Sequence, residues 1–119
     1  MAFIEVVSPE HASGRLEKIY KLVQSADGQV DNVLQIHSLR PHTLEGHMGI
    51  YKATLHHSHN RLPEWYLEAL GVLVSRLNGC DYCATHHAVG MQRLIKVEGL
   101  DAEAYMGALG ADMPGEPFT

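Results

Sequence analysis

The residues best suited to chemistry form one short run, Cys80-Asp81-Tyr82-Cys83-Ala84-Thr85-His86-His87. Cysteines three residues apart on a helix lie on one face, and a residue four positions further on lies on that face too. We therefore expect Cys80, Cys83 and His87 to bring two thiols and an imidazole together. His86 points about 100° away around the helix, so it is the weaker candidate of the two histidines.

The cysteine pair is expected at the start of a helix, because Asn78-Gly79 directly before it is a typical helix stop. The first turn of a helix has unpaired N–H groups and the positive end of the helix dipole, and both favour a thiolate over a thiol. Cysteine pKa values fall by several units in such settings, and the thiolate is the nucleophile. The position thus predicts a reactive cysteine.

Peroxide reduction fits this arrangement of groups. A thiolate attacks the O–O bond, water or an alcohol leaves, and a neighbouring thiol condenses with the sulfenic acid to give a disulfide. A histidine backed by a carboxylate can move the protons that these steps require. Glu68 is the predicted carboxylate, because it lies between Leu67 and Leu70 in an apolar helix, where a carboxylate is costly unless it is partnered.

These residues carry a resemblance to the AhpD-like alkylhydroperoxidase family of the carboxymuconolactone decarboxylase superfamily. The family pattern is a Glu, a Cys-x-x-Cys that begins twelve residues later, and a His four beyond the second Cys; Glu68, Cys80, Cys83 and His87 match it. One segment is most similar to the peroxidase-related branch, namely Ser-Arg-Leu-Asn-Gly-Cys-Asp-Tyr-Cys over 75–83. Leu39-Arg40-Pro41 and Leu62-Pro63 also resemble that branch. The resemblance covers about residues 13–98.

The resemblance implies an all-helical, AhpD-like bundle that assembles into trimers or hexamers and reduces peroxides through the cysteine pair. It implies that Cys83 attacks the peroxide, that Cys80 resolves, and that Glu68 and His87 relay protons. A thioredoxin-like, lipoyl or thiol reductant would then restore the dithiol. No cofactor and no bound metal are predicted.

The sequence departs from the family pattern at two points. The best-known alkylhydroperoxidases carry a histidine between the cysteines that is thought to join the proton relay, whereas this chain has Tyr82. Many peroxidase-related members also continue well past the last helix predicted here. Tyr82 therefore stands where the family's third relay member would be.

Other interpretations of the same residues stay open from the sequence. The cysteines could be inert buried thiols, or Cys80, Cys83 and His87 could hold zinc with a fourth ligand from His56, His57 or His59. Glu68 could face solvent on an amphipathic helix. The protein could also be a lactone decarboxylase or other lyase of the superfamily, which does not rely on a Cys-x-x-Cys pair. A third alternative is a non-enzymatic redox-sensing or binding subunit that forms the disulfide without turnover.

The elements that must position these residues read as five to six helices, with no convincing strand. We predict helices of about 13 residues after Ser13, over Asn32 to Leu39, from Pro41 or His42 to His57, from Pro63 to Leu77, from Cys80 to Val97, and after the cap Asp101. A loose tail is expected from about residue 110. Gly46, Gly49 and Gly71 are costly inside helices, and close helix–helix approach is the expected compensation.

Composition bounds the remaining possibilities. The chain has 119 residues and a formal charge of −5, with only two cysteines. Its length predicts a single domain over 1–119, and the absence of a basic run argues against nucleic acid and anionic membranes as partners. No apolar run approaches a membrane span, and no signal peptide is recognisable. We expect a cytoplasmic homo-oligomer, because a small helical chain with broad apolar faces would expose them as a monomer.

Overall fold

The computed structural model describes residues 2–110 and 115–118, and every regular element in them is helical. A 3₁₀ helix at Pro9–His11 is followed by α1 (Gly14–Val23), α2 (Asn32–Gln35), α3 (Pro41–Leu55), α4 (Glu64–Leu77), α5 (Asp81–Val97) and α6 (Ala102–Leu109). The all-α prediction and its five to six helices are confirmed. None of the helices in these residues has the length and apolarity that crossing a membrane requires.

The chain divides into two compact units, one ending at Ala53 and the other beginning at Thr54. The first unit has an apolar core made by residues from α1, α2, α3 and the segment between α1 and α2. Its buried members are Leu16, Ile19, Tyr20, Val30, Leu34 and Leu44. The irregular N-terminal segment is fixed to this unit through Val7, whose N–H donates to the buried Ser38 hydroxyl and whose carbonyl accepts from the Tyr20 hydroxyl.

Two helices of the first unit are shorter than predicted. α1 ends at Val23 because Gln24 is extended and Ser25 pairs with Gln29 across a turn. That turn contains Gly28 at a φ of +82°, a conformation that favours glycine. α2 ends at Gln35 and only turns follow it as far as Leu39, so the predicted helix over 32–39 was too long.

The second unit is built on a hairpin of α4 and α5, with α6 in contact with both. Its buried apolar residues are Ala69, Val72, Met91, Ile95 and Leu109. Asp101 caps α6 as predicted, accepting hydrogen bonds from the N–H groups of Glu103 and Ala104. At the other end of α6 the Arg76 guanidinium donates to the Leu109 carbonyl, which places a cation at the negative end of the helix dipole.

An aromatic cluster closes the second unit on one side. Trp65 packs edge-on against Tyr66 and Tyr105, and its indole N–H donates to Glu98 at 3.0 Å. Phe118 also packs edge-on against Tyr105. Trp65 and Tyr66 are therefore packing residues of the second unit. The loose tail predicted from about residue 110 falls partly on 111–114 and 119, which lie outside the described residues.

A histidine pair in the first unit gives a testable pH dependence. His37 Nε2 lies 3.2 Å from His47 Nδ1 and His37 Nδ1 lies 2.9 Å from the Thr43 hydroxyl. Burial, with the neighbouring His47 charge, lowers the pKa of His37 below its ordinary value. The unfolded chain therefore binds a proton that the folded chain resists, so stability is present above about pH 6.5 and is lost as pH falls through the folded pKa.

We expect His37→Gln to flatten the fall in the urea midpoint between neutral pH and pH 5.5, measured by circular dichroism. His42→Gln is the matched control, because His42 is exposed at the start of α3 and should leave the wild-type slope intact. A His37→Gln protein with the full wild-type slope would contradict the prediction.

Candidate redox site

The turn between α4 and α5 fixes the backbone of Cys80. The Cys80 N–H donates to the Ser75 carbonyl at 2.9 Å and the Gly79 N–H donates to the Arg76 carbonyl at 2.9 Å, which is the hydrogen-bond pair of a Schellman motif. Gly79 has a φ of +67°, the left-handed conformation that this motif requires at its penultimate position. The predicted helix stop thus ends α4 and also fixes the backbone of Cys80, which directly precedes α5.

Cys80 is also the N-cap of α5. Its Sγ accepts a hydrogen bond from the Cys83 N–H at 3.3 Å, so sulfur takes the place of the usual cap oxygen. Cys80 and Cys83 are joined as a disulfide across Cα atoms that are 5.4 Å apart. In the dithiol form, the same N–H and the helix dipole would favour a thiolate at Cys80.

Glu68 and His87 meet across the hairpin. The His87 Nδ1 lies 2.7 Å from the Glu68 Oε2, and Glu68 is buried with 4% of its surface exposed. An ionised carboxylate only accepts hydrogen bonds, so His87 Nδ1 donates and its Nε2 carries the lone pair. A carboxylate behind an imidazole in this way orients the ring. The pair is therefore arranged to accept a proton at Nε2.

The structure thus places the four predicted site residues on one hairpin, where they form two pairs. Cys80 and Cys83 form one contact, Glu68 and His87 form the other, and Cys83 precedes His87 by one turn of α5. Glu68 lies inside the hairpin rather than facing solvent, which answers the alternative that the sequence left open. Its position in an apolar stretch is explained by the imidazole that partners it.

The other residues of the run lie on the outer side. Tyr82 and His86 are both exposed, and their rings pack with centroids 4.3 Å apart at a tilt of 43°. His86 is therefore not part of the Glu68 contact, in keeping with the direction expected from the helix period. Tyr82 stands between the cysteines in sequence, but its ring packs on His86.

Two glycines that adjoin the pair were only partly foreseen. Gly71 was expected to permit close helix approach, and a Cβ built there would lie 2.6 Å from Cγ and Nδ1 of His87. Gly90 was not singled out, and its Cβ would lie 3.2 Å from Cδ of Glu68. Apart from its chain neighbours and the backbone of its own helix, a Cβ at Gly46 or Gly49 would meet no described atom within 4 Å, so close approach does not account for those two. The overlooked signal is a glycine three residues after each member of the pair.

Ser75 is a second residue that the sequence did not single out. It is buried in α4, its hydroxyl donates to the Gly71 carbonyl at 2.6 Å, and its own carbonyl accepts from the Cys80 N–H. It therefore joins the backbone near His87 to the backbone of the cysteine turn. A serine inside an apolar helix could have indicated such a role, because its hydroxyl needs a partner when buried.

The histidines between α3 and α4 form their own contacts. His56 Nδ1 pairs with Glu64 Oε1, and the rings of His57 and His59 pack edge-on with centroids 5.0 Å apart. Within 2–110 and 115–118 no group of three or more His, Cys, Asp or Glu side chains is arranged to hold a metal ion. These histidines are exposed on the connection between α3 and α4.

Comparisons with known proteins supply no relative: no protein-family model, curated protein or solved structure matches the chain. The basis for its function is therefore the geometry of the hairpin together with the sequence pattern of Glu68, Cys80, Cys83 and His87.

Proposed function

We propose that the protein is a cytoplasmic, thiol-dependent peroxidase of the AhpD-like type, its domain covering 1–119. It reduces hydrogen peroxide or alkyl hydroperoxides and cycles between a dithiol and the Cys80–Cys83 disulfide. The observation that carries the proposal is the hydrogen bond between the buried Glu68 and the half-buried His87, one helical turn from a Cys-x-x-Cys pair at a helix N-terminus. Such a combination supplies a nucleophile, a resolving thiol and a proton carrier.

In the first step the Cys83 thiol gives its proton to Nε2 of His87, directly or through one water, and the thiolate attacks the outer oxygen of the hydroperoxide. The S–O bond forms as the O–O bond breaks, so sulfur is oxidised to sulfenic acid. The departing alkoxide or hydroxide takes the proton back from His87 and leaves as alcohol or water. Glu68 stabilises the imidazolium between these transfers, because its carboxylate holds Nδ1–H.

In the second step the Cys80 thiolate attacks the sulfenic sulfur of Cys83, the S–O bond breaks, and hydroxide leaves as water after it takes up a proton. The cap hydrogen bond from the Cys83 N–H and the helix dipole favour that thiolate. A thioredoxin-like, lipoyl or small dithiol reductant then gives two electrons and two protons, which restores both thiols and leaves the reductant oxidised.

Peroxide consumption with a supplied dithiol tests the proposal. Catalytic amounts of protein with dithiothreitol or dihydrolipoamide should remove many equivalents of tert-butyl hydroperoxide, measured by a peroxide assay against a no-protein control. A protein that forms the disulfide but never turns over with any dithiol would act as a sensor instead. Activity on a carboxymuconolactone that survives loss of both cysteines would indicate a lyase.

We also propose a homo-oligomer, trimer or hexamer, with α4 contributing to its interface. Leu70, Val74 and Leu77 follow one another at helical spacing and are exposed, Leu77 by 77%. Apolar stripes of this kind mark contact surfaces in proteins. Light scattering at micromolar concentration should report a multiple of 13.2 kDa. A monomer mass would contradict the prediction, and Leu77→Lys should lower the mass of the assembly.

A further inference from the structure

The Glu68–His87 pair sits in a space that two glycines leave open. A Cβ at Gly71 would lie 2.6 Å from Cγ and Nδ1 of His87 and 2.8 Å from Cε1, closer than real Cβ contacts come. A Cβ at Gly90 would lie 3.2 Å from Cδ of Glu68, 3.3 Å from Oε1 and 3.4 Å from Oε2. The methyl group of alanine would therefore meet the imidazole in one case and crowd the carboxylate in the other.

The two glycines are related by the register of the hairpin. Glu68 and Gly71 are three residues apart on α4, and His87 and Gly90 are three residues apart on α5. Each helix thus presents one member of the pair and one glycine, and each side chain crosses to the glycine of the other helix. This exchange lets both side chains lie between the helices while Nδ1 and Oε2 stay 2.7 Å apart.

We propose that Gly71 and Gly90 are positioning residues for proton transfer, which hold the His87 ring and the Glu68 carboxylate in contact by leaving out a Cβ. Their catalytic effect rests on the proposed peroxidase function, but their effect on the pair itself does not. Gly71 sets the ring plane of His87, and so the direction of Nε2. Gly90 sets the position of the Glu68 carboxylate. Glycine disfavours a helix interior relative to alanine, so both positions carry a stability cost that the pair explains.

The test compares Gly71→Ala and Gly90→Ala with Gly107→Ala. Gly107 lies in α6 of the same unit, and a Cβ there would meet no described atom within 4 Å apart from its chain neighbours and its own helix backbone. It therefore controls for the change in helix propensity. Gly71→Ala should slow single-turnover oxidation of the dithiol at pH 7 by at least about tenfold. The loss should be smaller at pH 9, where the thiol loses its proton to solvent. Gly90→Ala should show a milder loss, and Gly107→Ala should match the wild type.

A double-mutant cycle with His87→Ala separates positioning from general damage. If Gly71 acts through the ring, Gly71→Ala lowers the melting temperature in the wild-type background and raises or maintains it in the His87→Ala background. It should also cause no further loss of rate there. A drop of similar size in both backgrounds would overturn the proposal.

Long-range ¹⁵N–¹H spectra of the histidine rings decide the matter independently of activity. The wild type should show His87 protonated at Nδ1, and Gly71→Ala should change that pattern while Gly107→Ala preserves it. An unchanged His87 signal and unchanged rate in both Gly71→Ala and Gly90→Ala would overturn the proposal. If Gly71→Ala does not fold, Gly90→Ala carries the same comparison. A wild type without peroxidase turnover but with the expected ring signals would refute the proposed function and leave the positioning role intact.

Discussion

Cys83→Ser is expected to abolish peroxide reduction, whereas Cys80→Ser should retain a single turnover. Serine at 83 removes the sulfur that attacks the O–O bond, so no sulfenic acid forms there. Serine at 80 leaves the attacking thiol one helical turn before His87 but removes the resolving partner, so oxidation should stop at Cys83–SOH. Stopped-flow peroxide consumption and intact mass should show one equivalent consumed and one oxygen atom gained by Cys80→Ser.

The two variants also decide which sulfur attacks. The helix N-terminus and the cap hydrogen bond favour a thiolate at Cys80, whereas His87 lies one turn after Cys83. In the proposed mechanism Cys83 attacks because His87 accepts its proton, despite the cap hydrogen bond that favours a thiolate at Cys80. If Cys83→Ser traps a sulfenic acid and Cys80→Ser is inert, the helix cap determines the nucleophile. Cys80 is then the attacking residue and Cys83 the resolving one. Full multiple turnover by Cys83→Ser would refute both assignments.

Glu68→Gln is expected to slow oxidation of the dithiol by roughly 10²-fold at pH 7. The amide has nearly the shape of the carboxylate and can still accept from Nδ1 of His87, but it has no charge to stabilise the imidazolium. The loss in rate should shrink as pH rises towards the pKa of a free thiol, because the thiol then loses its proton to solvent without help from His87. Single-turnover rates across pH 6–9 would measure the effect.

Glu64→Gln is the matched control for that variant. Glu64 lies one turn earlier on α4, and it pairs with His56 at an exposed position where such pairs contribute little to stability. We expect wild-type rates from it at every pH. Equal rates for Glu68→Gln and the wild type would show that the buried carboxylate is structural only.

The sequence was sufficient to predict the parts of the fold that depend on local chemistry. Pro41 begins α3, Asp101 caps α6, and Asn78-Gly79 ends α4 just before the cysteines, because each of these residues acts through its own backbone or a neighbour a few positions away. The spacing of Cys80 and Cys83 likewise fixed their proximity. The helix that α2 was expected to form failed beyond Gln35, where turns replace it.

Burial along α4 could not be read from hydrophobicity. The helix is apolar over much of its length, yet Leu70, Val74 and Leu77 are exposed while Glu68 and Ser75 are buried. The reason is that the face of α4 packed on α5 is set by the hairpin register and by the hydrogen bonds that Glu68 and Ser75 find there. Contacts across 19 residues of sequence, such as Glu68 to His87, depend on that register. His87 was predicted from helical spacing and Glu68 from its apolar surroundings, and the family resemblance supported the same two residues.

The most direct test of the redox proposal is a thiol count by intact mass on the reduced, metal-free protein, before and after one equivalent of tert-butyl hydroperoxide. We predict that both thiols are lost together and that the mass falls by about two hydrogens, because Cys80 and Cys83 close a disulfide. Two thiols that remain untouched would contradict the proposal that this pair reacts with peroxide.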